Sequence, residues 1–232
     1  AGRIRYHELP PLNLSETAEQ PYEKLYLRGG YPDSYQAKSD EASFIWRESY
    51  IRTYLEMDIP QLDIRIPSIQ LRRFWTMLAH SHGQLWNASK IAGSLGVSAP
   101  TVRRYLDILE ATFVVRQLQP YSINIKKRLI KSPKIYIRDS GLAQTLLRIR
   151  SFDDLLGHPA LGATWEGFVI EQIVSLLPEN SETFFFRTNA GAEIDFLFMD
   201  RKNKPVAVEV KYSLSPTRSE EHTSELQSRQ SI

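Results

Sequence analysis

Apolar residues fall at helical spacing through Ser43–Tyr54, where Phe44, Trp46, Tyr50, Ile51 and Tyr54 predict an amphipathic helix. Ser68–His82 repeats the pattern, with Leu71, Phe74, Trp75 and Leu78 on one face. Ala88–Leu95 reads as a short helix, Gly96 as a turn, and Ser98-Ala99-Pro100-Thr101 as the start of the next helix. Ser98 is a natural N-cap because its hydroxyl accepts from a first-turn N–H. Pro100 is tolerated there because its missing N–H would have had no partner. This helix runs to about Glu110, with Val102, Tyr105, Leu106 and Leu109 as its buried stripe and Thr101, Arg103 and Arg104 outside it. Two helices across a Gly-containing turn predict a helix-turn-helix, whose second helix can enter a major groove. Strand-like runs follow at Phe113–Leu118, Tyr121–Ile125 and Lys134–Arg138, where a winged helix keeps its wing. Ahead of all this, residues 1–30 carry Pro10-Pro11 and Gly29-Gly30 and read as a linker with one extended piece and a tight turn.

The last third alternates differently. A helix from Asp139-Ser140-Gly141-Leu142 to about Ile149 precedes a longer one over Gly162–Leu177. Three strand-like runs come next, Thr183–Arg187, Glu193–Met199 and Pro205–Lys211, joined through Asn189–Ala192 and Asp200–Lys204. A helix packed on a small sheet with hairpin-length connections predicts an α+β unit of αβββ order.

Composition narrows the classes. Hydrophobic content of 42% and charged content of 24% are ordinary globular values, and a net charge of +2 implies nothing by itself. Without cysteine there is neither a disulfide framework nor a thiolate metal site, which fits a reducing cytoplasm. No apolar run approaches the roughly 18 residues of a membrane span. Charge is uneven, however. Between Ser98 and Arg138 the bases are Arg103, Arg104, Arg116, Lys126, Lys127, Arg128, Lys131, Lys134 and Arg138, against only Asp107 and Glu110. A phosphate-tracking surface needs such an excess, so Thr101, Arg103, Arg104, Lys126, Lys127 and Arg128 are candidate DNA contacts. His80 and His82 sit two apart and do not share a helix face, so they read as solvated residues at a helix end rather than metal ligands.

The polar residues of the αβββ unit are its chemical signal. Asp195 interrupts an apolar run, a costly placement unless the charge is paired, binds an ion or reaches water. Glu209 and Lys211 share a strand face by alternation. Asp195 and Glu209 meeting at one point would hold Mg²⁺ or Mn²⁺ through hard oxygen ligands, with Glu166 on the preceding helix as a third carboxylate. The metal would polarise a phosphodiester and activate a water, and Lys211 would orient that water or offset transition-state charge. Lys211 paired with Glu209 or Asp195 in a surface salt bridge is the plainer alternative.

Asp195 followed by Glu209-x-Lys211, after a helix carrying Gly162-x-x-x-Glu166-x-x-Val169, resembles the PD-(D/E)XK nuclease superfamily. More widely, Arg28-Gly29-Gly30-Tyr31-Pro32, Tyr54-Leu55-Glu56-x-Asp58-Ile59, Lys131-Ser132-Pro133-Lys134, Arg138-Asp139-Ser140-Gly141-Leu142 and Trp165-Glu166-Gly167-Phe168-Val169 resemble a prokaryotic family. In it an AAA-type ATPase domain precedes an uncharacterised C-terminal domain with a nuclease-like fold. The resemblance implies a winged helix-turn-helix followed by a small restriction-endonuclease-like αβββ domain. It assigns residues 1–30 to the tail of the ATPase domain and a linker, 31–140 to a helical segment and the winged helix, and 141–212 to the nuclease-like domain. ATP binding is implied only for the ATPase half, since this chain contains no G-x-x-x-x-G-K-[ST] loop. Arg218–Ser228 (RSEEHTSELQS) resembles the translation of a sequencing-library adapter, so residues 213–232 are expected to be a non-native or disordered tail. Three functions remain open: a DNA-associated module governed by its own N-terminal ATPase domain, a metal-dependent endonuclease, and a non-catalytic protein-interaction scaffold.

Overall fold

The computed structural model describes residues 7–121, 132–179, 181–188 and 191–212. The chain opens with α1 (Tyr22–Arg28), α2 (Pro32–Tyr35) and α3 (Asp40–Thr53), whose N-cap Ser39 accepts from the Ala42 N–H. Helix α3 runs into a π-helical turn at Tyr54–Asp58 and the short α4 (Ile59–Gln61). Next come α5 (Ser68–His80), α6 (Ala88–Leu95) and α7 (Ala99–Ala111). Ser98 caps α7 as its sequence predicts, accepting from the Thr101 N–H at 3.3 Å, and Gly96 takes the left-handed turn at φ 68°. Strands β1 (Val115–Pro120) and β2 (Lys134–Ile137) pair antiparallel. A further edge lies beyond β2: Leu85 bridges Lys134, and Gly83 and Trp86 donate to the carbonyls of Ile135 and Pro133. The order α5, edge segment, α6, α7, β1, β2 is that of a winged helix.

Helices α8 (Ser140–Leu146), α9 (Phe152–Leu156) and α10 (Leu161–Leu176) follow, then β3 (Thr183–Arg187), β4 (Glu193–Met199) and β5 (Pro205–Val208). The last three form an antiparallel meander, as alternation predicts. The junction is the unexpected part. Gln119 and Pro120 at the end of β1 pair in parallel with Phe184 and Phe185 of β3, so all five strands make one sheet in the order β2-β1-β3-β4-β5. The wing strands and the αβββ strands therefore share a hydrogen-bonded framework. A small core of Leu118, Tyr136, Ile170, Phe185 and Phe196 fills the space between this sheet and α10.

Three sequence expectations change. The linker expected over residues 1–30 contains α1, whose Leu25, Tyr26 and Leu27 are buried in the main core. The strand expected to run to Lys211 ends at Val208. The strand expected over Tyr121–Ile125 falls almost wholly outside the described residues.

Candidate functional site

The candidate residues fall in two places, the outer face of α7 and the carboxylates of the αβββ unit. On α7 the stripe of Val102, Tyr105, Leu106 and Leu109 is buried, which leaves Arg103 and Arg104 exposed. Among the described residues neither makes a salt bridge. Thr101 is half-buried and its hydroxyl meets that of Ser98 at 2.8 Å.

The rest of the basic excess is placed differently from the sequence expectation. Arg116 and Arg138 both grip Glu171 of α10, and Arg138 also reaches Glu8. Lys134 is buried. Lys126, Lys127, Arg128 and Lys131 lie outside the described residues. Of the nine bases, three are thus consumed by internal ion pairs, and only Arg103 and Arg104 are seen facing outward.

Lys134 is the centre of the second place. Its side chain is only 4% exposed, and its ammonium lies 3.0 Å from Glu166 Oε1, 2.7 Å from Glu193 Oε1 and 3.9 Å from Asp195 Oδ1. Alternation explains the convergence: Lys134 and Tyr136 project from one face of β2, and Glu193 and Asp195 from one face of β4. Tyr136 donates its hydroxyl to the same Glu166 oxygen. Glu193 also meets Arg187 at 3.4 Å, and Asp195 Oδ2 accepts from the Val210 N–H at 2.9 Å.

Electrostatics follow from three carboxylates crowding one ammonium. Burial works against the Lys134 charge, but Glu166 and Glu193 outweigh it and hold its pKa above the ordinary lysine value. Glu166 and Asp195 are both pushed up, first by burial and then by neighbouring carboxylates, although Lys134 resists each shift. Glu209 is close enough for its charge to add to the rise at Asp195.

The four residues singled out from the sequence therefore divide. Glu166 and Asp195 are brought together, on Lys134. Glu209 and Lys211 pair with each other at 2.8 Å, half-exposed, as in the plainer alternative. Among the described residues no three His, Cys, Asp or Glu side chains are spaced to hold a metal ion. Mg²⁺ or Mn²⁺ does not fit between Glu166, Glu193 and Asp195, because an ammonium fills that point. Sequence reasoning missed Lys134, Tyr136 and Glu193. The signal was available, since Lys134/Tyr136 and Glu193/Asp195 are i, i+2 polar pairs in otherwise apolar strands.

His82 is also a correction. It is buried rather than solvated, and its ring meets Tyr136 edge-on at 5.3 Å. Its Nδ1 accepts from the Ile137 N–H at 3.2 Å, so Nε2 carries the proton and has no partner among the described residues. Nε2 faces Gly167 of α10, where an added Cβ would lie 2.2 Å away. Burial drives the His82 pKa down from 6.5 to about 4, against the pull of Glu171. As pH falls through this window the unfolded chain takes up a proton that native His82 refuses, so stability falls with pH. The shift from 6.5 to about 4 is worth about 3 kcal/mol. Urea unfolding at pH 7 and pH 4 should therefore show a loss larger by that amount in the wild type than in His82→Gln. Equal losses would mean that His82 is protonated in the native state.

A winged-helix unit joined through one continuous sheet to an αβββ unit defines the class of this protein. The chain belongs to the family described as Domain of unknown function (DUF8612), which matches residues 19–153. A second family, Domain of unknown function (DUF4143), matches residues 161–231, a range that takes in the stretch read from sequence as a tail. Two uncharacterised proteins, from Mycobacterium bovis and Mycobacterium tuberculosis, are each 46% identical over 217 residues, covering 94% of this chain and 49% of the relative. The chain thus spans about half the length of the curated relatives it matches. Among solved structures, a mutant of MepR from S. aureus bound to an oligodeoxyribonucleotide is 19% identical and covers 59% of this chain and 84% of its own. The TM-score is 0.28. No helix among the described residues is long and apolar enough to cross a membrane.

Proposed function

We propose that this chain is a DNA-associated module of a larger protein, with α7 as the element that meets the duplex. One observation carries this reading. Of the five described bases between Ser98 and Arg138, Arg116, Lys134 and Arg138 are tied up internally, whereas Arg103 and Arg104 stand exposed and without salt bridges on the second helix of a helix-turn-helix. Guanidinium groups in that position contact phosphates, fix the docking of the helix and supply sequence-independent affinity. Lys126, Lys127 and Arg128, which lie outside the described residues, are further candidate phosphate contacts by their charge. The αβββ unit serves in this reading as a scaffold that carries the winged helix, and not as a metal-dependent nuclease. DUF4143 is a domain often found with AAA ATPases. That association supports a longer protein in which an ATP-binding domain acts on this module.

The test is duplex binding followed by fluorescence anisotropy at low salt. Arg103→Ala/Arg104→Ala should weaken binding about tenfold or more, uniformly across unrelated sequences. Retained affinity in the folded double variant would take α7 out of the interface. Absence of binding by the wild type would remove the DNA reading altogether.

A further inference from the structure

The carboxylate cluster of the αβββ unit presents a mismatch between its composition and its geometry. Glu166, Glu193 and Asp195 come from two elements, α10 and β4, and converge on one point. The position they surround is nevertheless taken by a side chain from a third element, β2 of the winged helix. We propose that Lys134 is the resident cation of this site. Its ammonium stands where a divalent metal would otherwise sit, and the cluster fastens the winged helix to the αβββ unit instead of activating water.

Several observations support the assignment together. Lys134 is almost fully buried, and long cationic side chains are rarely buried without being paired. It has two close carboxylate contacts, at 3.0 Å and 2.7 Å, and a third carboxylate at 3.9 Å. Its ammonium also lies 5.6 Å from the centre of the Phe185 ring, whose face attracts a cation. Three of the carboxylate oxygens have a further partner. Tyr136 shares Glu166 Oε1, Arg187 meets Glu193 Oε2, and the Val210 N–H holds Asp195 Oδ2. An incoming ion would have to displace the ammonium, break these contacts and draw the oxygens in. Mg²⁺ needs oxygens at about 2.0–2.1 Å and Ca²⁺ at about 2.3–2.6 Å, both inside the ammonium distances.

The geometry also says what the cluster does. Lys134 is the β2 residue that bridges Leu85, and it pairs in register with Leu118 of β1. Its side chain therefore runs from the framework of the winged helix to both α10 and β4. Removing it takes away the shared counter-charge and leaves three buried or half-buried carboxylates repelling one another. Breaking a buried ion pair by deleting one partner is strongly destabilising for that reason. The inference does not depend on DNA binding, and either can fail without the other.

The experiment is thermal unfolding with and without MnCl₂ or CaCl₂, read by circular dichroism. The wild type and Lys134→Arg should change in melting temperature by less than about 1 °C, because the site already holds its cation. In Lys134→Ala the vacated cage should accept an ion. At a hundredfold excess over its Kd the melting temperature should rise by roughly 5–10 °C. Adding Asp195→Asn should abolish that rise. If Lys134→Ala does not fold in buffer alone, either ion should restore the folded spectrum. Two results would overturn the proposal. One is a wild-type shift of several degrees that Asp195→Asn removes. The other is a Lys134→Ala protein, folded or unfolded, that neither ion affects.

Discussion

Asp139→Ala should lower the unfolding free energy by about 2–4 kcal/mol, for a lost helix cap and a buried N–H left without a partner. The Asp139 carboxylate is buried at the junction between the first helices and α8. Its Oδ1 accepts from the Leu142 N–H at 2.8 Å and so caps α8, while Oδ2 accepts from the Gly30 N–H at 2.7 Å. Close by is Arg47, also fully buried, which donates to the Leu27 carbonyl at 3.0 Å and to Thr145 Oγ1 at 2.7 Å. Burial lowers the Arg47 pKa to about 10, and Asp139 is the charge that most resists this. Alanine removes a helix cap, strands the Gly30 N–H and leaves Arg47 without its main counter-charge. Asp139→Asn keeps an acceptor but no charge and should cost less, about 1–3 kcal/mol. Urea unfolding at pH 7 measures both. A loss below about 1 kcal/mol for Asp139→Ala would show that the junction does not depend on this carboxylate.

Gly141→Ala should cost about 3 kcal/mol, at the upper end for overpacking a core. A Cβ at Gly141 would lie 2.3 Å from the Arg28 carbonyl oxygen and 2.7 Å from the Gly29 nitrogen. Both atoms are backbone and cannot rotate away. Gly162→Ala in α10 is the control, since its Cβ would meet nothing within 4 Å. That change should be neutral or stabilising by up to about 1 kcal/mol. Equal behaviour of the two alanine variants in the same unfolding assay would contradict the close packing of α8 on the Arg28-Gly29-Gly30 turn.

These two sites show where sequence reading succeeded and where it stopped. Local rules placed α7 well, because Ser98, Pro100 and the Val102/Tyr105/Leu106/Leu109 stripe all act within one helix. The β3–β5 meander was legible for the same reason, through alternation and hairpin-length connections. Helix α1 was not legible. It has only seven residues, and it buries the consecutive Leu25, Tyr26 and Leu27 rather than a helical stripe. Tertiary packing decides that segment, and periodicity cannot report it.

The charges teach the same lesson. Counting bases along Ser98–Arg138 treated every one as available to a phosphate. Whether Arg116, Arg138 and Lys134 face water or Glu171 and Glu166 depends on α10, some thirty residues or more away in sequence. The candidate site divided on the same basis. Asp195 stands out by its apolar run and Glu166 by its place on the preceding helix, and the lysine that lies between them belongs to a strand read as part of the wing. His82 was misjudged because it lies just past the end of α5, where residues are commonly solvated. Here the chain turns back under the sheet against Gly167 instead.

If the outer face of α7 meets the duplex, the salt dependence of binding reports it directly. The logarithm of the association constant of the wild type should fall linearly with the logarithm of salt concentration. Each phosphate contact removed should reduce the slope by about 0.9, so Arg103→Ala/Arg104→Ala should flatten it by about 2. A wild-type and a folded double variant with the same slope, or a wild type that binds no duplex at low salt, would contradict it.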